Sequence, residues 1–438
     1  MYPKSQKAFQ SLFLLFSVFN VVLFGIWFSY PKAENTTTQN DPNILNNYQY
    51  IIYFLIVLIF GYGFIISTPR LYTLSGVGFT FFLVSFCIPF ALIVLTFFTQ
   101  NFTSGLERSE RITYSLIIES LFATGSVLIA IKGVLGKVTP LQIFLIAILQ
   151  IILYSTNYCL NVVYFGVIDS GRGMLLHLFS AFFGFTLTST LTSHVKTIKN
   201  PNRNSDNFTD VISLLGTCVL WIFLPSINGA ISIRGGKYRA TINTIFSICS
   251  STVISFAISA LRNNGGVAIA SAADLYVTPF MAILVGFISG LLTTFCFNDL
   301  RSFLNKTLSI QDGEILLSLH AIPGMISGIV NIIAIEYAHS HQGLYNGAYE
   351  FIIPEKGDQT NKQIFALIIS IIMPSLGGIV TGWIVTLFTE NTSDPYVDEF
   401  WARHNEQANS FLKNPIFQDN MTLSTLDNST SSVSSDDY

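Results

Sequence analysis

Apolar runs of spanning length recur almost from end to end of this chain. A helix needs about twenty residues to cross a hydrocarbon core about 30 Å thick. Cutting wherever polar, Pro or Gly clusters interrupt gives twelve segments, at 9–30, 48–67, 72–98, 112–134, 140–165, 172–193, 209–232, 240–262, 266–276, 278–298, 314–336 and 362–389. In hydrocarbon each backbone N–H and C=O must find its partner within the segment, so runs of this kind fold as helices. The expected fold is therefore an all-α polytopic membrane protein of about twelve transmembrane helices, forming one domain over 1–390. The ninth segment is short, between Gly266 and Pro279, and reads as a buried half-helix. Were it not spanning, the chain ends would lie on opposite faces.

Charge usage fits a chain whose main partner is the lipid bilayer. Charged residues are 11% and hydrophobic ones 51%, where a soluble domain carries about a quarter charged. A net charge of -3 leaves no broad basic field for nucleic acid. The five cysteines are scattered through apolar segments without metal-type spacing and read as small lipid- or core-facing residues. The first run follows Lys4 and Lys7, but it is too long for a signal's apolar core and lacks a small-residue cleavage site, so it reads as the first span. After about residue 390 the apolar pattern stops. The stretch 391–438 reads as a cytoplasmic, largely disordered tail, rich in Ser, Thr, Asn and Asp towards its end.

With a cytoplasmic start, the loops carrying Arg70, Lys132 with Lys137, Lys196 with Arg203, Arg262 and Arg301 fall inside, as the positive-inside rule expects; Arg234, Lys237 and Arg239 run against it. The same topology puts the sequons at Asn35 and Asn101 in outside loops, which makes them the expected glycosylation sites. They imply passage through the secretory route, to the plasma membrane or to an osmoregulatory or endosomal compartment.

Two of the six histidines, His177 and His320, lie deep inside apolar segments. A buried ionisable group there is costly and marks a functional hypothesis; the rival reading is a core histidine bonded to a backbone carbonyl. Each follows an aspartate by eight residues, His177 after Asp169 and His320 after Asp312. Asp favours helix N-caps, and eight residues of helix rise about 12 Å, close to the middle of the core from either face. In the twelve-segment count the two spans run in opposite directions, so the histidines approach the midplane from opposite faces. That is the pattern of inverted-topology repeats, whose site lies at the repeat interface. Small residues follow both, Ala181 and Gly184 after one, Gly324 and Ser327 after the other, where helices pack closely.

A neutral imidazole offers one donor and one acceptor. Two of them in an apolar lumen can share a proton and bond a small amine, with no carboxylate to balance a cation. Two histidines without a nearby Cys or carboxylate make a poor metal site, so neither a metal nor another cofactor is expected. No nucleophile elbow, phosphate loop or catalytic carboxylate pair appears in the spans, and no enzyme chemistry is expected.

At these residues the chain resembles the Rhesus glycoprotein branch of the ammonium transporter family. The likeness runs from about residue 9 to 390 and is carried by GVLGKVTP at 133–140, the His177 segment, RATINT at 239–244, GGVA at 265–268 with AAD at 272–274, and IQD at 310–312 leading to LHAIPG at 319–324. The resemblance implies a homotrimer with a narrow pore through each subunit, passing ammonia, with carbon dioxide as a candidate second solute. It makes His177 and His320 the twin histidines of that pore and links Asp169 with ammonium deprotonation or pore structure. Of two stacked phenylalanines in family members, Phe122 matches the first; Ile227 stands at the second, and Tyr158 stands where vertebrate members have a vestibule glutamate. The reading is a channel-like facilitator for ammonia. The alternatives are a carbon dioxide channel and a non-conducting anchor or ammonium sensor acting through its tail.

Overall fold

The computed structural model describes residues 4–29, 42–69, 72–103, 110–194, 205, 207–230, 232, 236–262, 277–303, 316–345 and 358–388. Eleven helices among them are long and apolar enough to cross a membrane. Their α-helical parts are α1 (Lys4–Trp27), α2 (Pro42–Ile56), α3 (Thr73–Thr103), α4 (Tyr114–Val134), α5 (Pro140–Tyr158), α6 (Phe179–His194), α7 (Asn207–Ala230), α8 (Gly236–Arg262), α9 (Pro279–Phe303), α10 (Ile322–Ser340) and α11 (Gln359–Thr386), and adjoining π-helical turns extend the spans at Tyr48–Ile66, Gly173–Thr192 and Leu317–Ser340. Eleven of the twelve expected segments are thus helical. The ninth, 266–276, lies outside the described residues, as do Asn35, Asp312 and the tail 391–438.

Local chemistry starts the helices where the sequence changes character. Thr139 caps α5 with a reciprocal capping box: Gln142 N donates to Thr139 Oγ1 at 3.3 Å and Thr139 N to Gln142 Oε1 at 2.8 Å, with Pro140 in the first turn. Thr113 accepts from Leu116 N at 3.2 Å to cap α4. A two-residue parallel pairing of Phe28–Ser29 with Glu110–Arg111 ties the end of α1 to the start of α4 on one face of the bundle. Asn101 lies in the last turn of α3 rather than in the loop expected for it. A 31-residue helix is about 46 Å long, so α3 carries its helical bonding well past the core.

Helix directions follow from pairwise contacts. α4 runs parallel to the His177 span, since Glu119 meets Arg172, Ser126 meets Ser180, and Ala130 backs onto Gly184. The His320 span crosses that span antiparallel: Ala321 packs with Leu178 and Ala181, while the later Gly324 approaches Gly173 and Gly328 approaches the earlier Met174. The opposed entry expected of inverted repeats is therefore present at the histidines. α8 and α9 are parallel, with Gly286 on Ser247 and Gly290 on Ser251.

The outer surface is apolar. Leu14, Leu15, Val21 and Ile26 of α1 and Ile372, Leu376, Val380 and Trp383 of α11 are exposed. Their natural solvent is hydrocarbon. The interior instead holds polar pairs that fix helix to helix. Ser180 Oγ donates to Ser126 Oγ at 2.8 Å, and Gln150 Nε2 donates to the Ser126 carbonyl at 2.6 Å, joining α4, α5 and α6.

Candidate functional site

Both histidines sit in short π-helical turns that precede regular helix. Gly173–Leu178 leads into α6 and Leu317–Ala321 into α10. In the first, the N–H of His177 reaches back five residues to the Arg172 carbonyl at 3.2 Å. The widened turn re-aims one side chain, and such turns gather at functional sites. Close approach of the two spans needs glycine: a Cβ on Gly324 would stand 2.7 Å from the Gly173 carbonyl and 2.9 Å from Leu178 N.

The result is a direct pair. His177 Nδ1 and His320 Nδ1 are 3.2 Å apart, with ring centroids 5.4 Å apart and planes 8° from parallel. One Nδ1–H donates to the other Nδ1. For a neutral pair this leaves one Nε2 as an acceptor and the other as an N–H donor. The pair therefore presents both hydrogen-bond polarities and no net charge. No group of three or more His, Cys, Asp or Glu side chains suited to a metal gathers among the described residues.

His177 also borders a small apolar cavity. Its walls include Phe54, Leu58, Tyr62, Phe122, Leu224 and Ile227, with Asn228 as a polar edge. The space open to the centre of a water-sized molecule is about 20 Å³; one water needs roughly 10–15 Å³ on that measure. Phe122 and Ile227 are 1% and 3% exposed and face the same cavity. Phe54 meets Phe122 edge-on, centroids 4.7 Å apart at 89°. Tyr62 lies against His320, 6.4 Å between centroids and 27° between planes. It extends the line of rings from His177 through His320.

Asp169 serves the backbone. Its Oδ1 accepts from Gly173 N at 2.9 Å, and its Oδ2 from Met174 and Leu175 N at 3.0 and 2.9 Å. These are the orphan donors of the π turn, so the carboxylate holds the start of the His177 segment. Of the residues expected at the site, His177, His320, Phe122 and Ile227 converge; Asp169 stands at the turn that carries His177. Phe54, Tyr62, Glu119 and Arg172 were not anticipated. Glu119 and Arg172 had a signal, as charges within or at the start of apolar segments. The two aromatic residues had none.

Eleven membrane-type helices around a buried histidine pair and an apolar cavity define a polytopic helical membrane protein with its site in the bundle interior. The family model described as the Ammonium Transporter Family matches residues 12–408, and the chain belongs to that family. It is 31% identical over 434 residues to an ammonium transporter Rh type C of Xenopus laevis, covering 90% of each chain. It is also 31% identical over 413 residues to the Homo sapiens Rh type C protein, covering 85% of this chain and 84% of that one. Among solved structures it resembles Nitrosomonas europaea Rh50, with TM-score 0.66, 25% identity and coverage of 82% and 92%. Saccharomyces cerevisiae Mep2 shares the fold, with TM-score 0.60 at 16% identity and coverage of 81% and 88%.

Proposed function

We propose that the chain is a channel-like facilitator that passes ammonia past Phe122 and Ile227 to His177 and His320. The observation that carries the reading is the Nδ1-to-Nδ1 contact of 3.2 Å at the edge of an apolar cavity sized for one small solute. Ammonium breaks one N–H bond at the mouth and leaves the proton with water or buffer. Ammonia then crosses, bonding a donor and an acceptor at the imidazole pair in turn, and takes a proton from water on leaving. A neutral lumen disfavours the ion, because a bare charge there costs several kcal/mol. On the family resemblance the assembly is a homotrimer with one path per subunit, and carbon dioxide is a second solute to be compared in the same vesicles.

The test is the internal pH transient of proteoliposomes after an ammonium jump. Wild type should exceed empty vesicles, and His177→Ala and His320→Ala should each slow it. A wild type indistinguishable from empty vesicles would sink the reading.

A further inference from the structure

The histidine pair leaves unused the one side-chain amide that borders the cavity among the described residues. Asn228 lines that space together with His177, Phe122 and Ile227, and it is 1% exposed. No Asp, Glu, Lys or Arg stands among the described residues of the wall. Asn228 lies near the end of α7, where Gly229 lets α8 come close: a Cβ on Gly229 would stand 3.0 Å from Thr241 Oγ1 and 3.3 Å from the Lys237 carbonyl. One turn further along α8, Thr244 meets the amide. Asn228 Nδ2 donates to Thr244 Oγ1 at 3.1 Å.

The hydroxyl decides which end of the amide faces it. Thr244 Oγ1 donates to the Ala240 carbonyl at 2.6 Å. A hydroxyl has a single hydrogen, so Thr244 has only lone pairs left for its neighbour. A turned amide would set Oδ1 against those lone pairs, and Nδ2 is therefore the end held there. Thr244 is fully covered and is not among the residues that line the cavity. Its bond is the only one the Asn228 side chain makes among the described residues. Oδ1 is thus an acceptor without a donor, on a residue of the cavity wall, and a buried polar atom left unbonded is costly.

An amide oxygen accepts and carries no net charge. Ammonia has three N–H groups and can give one to Oδ1 while keeping its lone pair for a ring N–H. Carbon dioxide has no hydrogen to give and gains nothing from an acceptor. Ammonium can donate, but the described wall holds no carboxylate to balance its charge. A solute that enters an apolar space gives up its bonds to water, and one bond regained there lowers that cost. His177 Nδ1 is already engaged by His320 Nδ1, so Asn228 supplies an acceptor that the near end of the imidazole does not.

We propose that Asn228 Oδ1 is the acceptor that favours ammonia over carbon dioxide in the cavity, and that Thr244 is the positioning residue that keeps it turned there. The proposal rests on the ammonia-conducting reading and deepens it. Its test uses the full chain in liposomes at matched reconstitution, reading the pH rise driven by ammonia and the pH fall driven by carbon dioxide in the same vesicles. Asn228→Ala widens the cavity and deletes the acceptor. Ammonia flux should fall several-fold, whereas Ile227→Ala, which widens the same space and deletes no acceptor, should raise it. Carbon dioxide flux should not fall. Ammonia flux that is unchanged or raised in Asn228→Ala overturns the proposal, and so does a parallel fall for both gases, which marks a general change in the path.

If Asn228→Ala is not recovered folded, Thr244→Val and Thr244→Ser decide. Valine matches threonine in shape but accepts no hydrogen bond, so the amide is free to turn either end to the cavity, and ammonia flux should fall roughly twofold with carbon dioxide flux held. Serine keeps the hydroxyl and should restore the ammonia flux. Equal ammonia flux in the two variants overturns the proposal, as does an equal loss of both gases in the valine variant. A wild type no faster than empty vesicles overturns the conducting reading and the acceptor with it. A conducting wild type whose variants all match it overturns the acceptor alone.

Discussion

His177 and His320 meet Nδ1 to Nδ1 at 3.2 Å, so each imidazole fixes the other's tautomer. Exchange of donor and acceptor ends takes two proton moves, one between the Nδ1 atoms and one that removes the Nε2 proton from one ring and returns a proton to the Nε2 of the other. A single shared bond should make the two residues act as one unit. The prediction is a non-additive double-mutant cycle: the double alanine variant should be slower than either single variant by far less than the product of the two losses. A coupling of about 1 kcal/mol, roughly fivefold in rate, is expected for one such bond. Stopped-flow pH transients of the four proteins measure it. Strictly multiplicative losses would show that the rings act independently.

Asp169 and the backbone of Gly173, Met174 and Leu175 make a different kind of pair. With three N–H groups donating to one carboxylate, Asp169→Ala leaves three buried donors unsatisfied, at about 1–3 kcal/mol each. Asp169→Asn keeps one acceptor oxygen and should fall between. Thermal stability in detergent and ammonia flux should decline together across wild type, Asn and Ala. A stable Asp169→Asn protein without flux would instead make the carboxylate a proton acceptor.

The histidine pair was legible because an ionisable group in an apolar run stands out. Its antiparallel crossing was legible from the twelve-segment count, and its close packing from Gly324 and the neighbouring small residues. The cavity wall was not. Phe54 and Tyr62 are two among 39 phenylalanines and 18 tyrosines, and nothing local distinguishes a ring facing solute from one facing lipid. Glu119 and Arg172 were visible as charges, but they pair across 53 positions. Only the parallel packing of α4 with the His177 span brings them together. The loop expected at Asn101 failed because a helix ends where its backbone bonding ends, beyond the last apolar residue.

The contact of α8 with α9 depends on Gly286. A Cβ there would lie 2.1 Å from the Ser247 carbonyl and 2.7 Å from Ser247 Cα. Backbone cannot yield as a flexible side chain does, so Gly286→Ala should force the helices apart at a cost of about 1–3 kcal/mol. Gly78→Ala is the control, since nothing lies within 4 Å of its Cβ. Melting of the purified proteins should separate the two, with Gly286→Ala lowered and Gly78→Ala unchanged or raised by up to about 1 kcal/mol, since it sits in a helix interior.

Ile227 and Phe122 face one cavity, and the volume at Ile227 should set how readily a solute passes. The space open to the centre of a water-sized molecule is about 20 Å³. The larger ring of Ile227→Phe, added to a side chain already 97% covered, has little room except that space. Ammonia flux should fall, with an overpacking cost of about 1–3 kcal/mol. Ile227→Ala should act in the opposite sense on flux, widening the cavity while losing about 2–5 kcal/mol of stability. Opposite signs on flux with stability lowered in both is a pattern that general destabilisation does not produce. Equal flux in all three proteins, compared at matched reconstitution, would place the path away from Ile227.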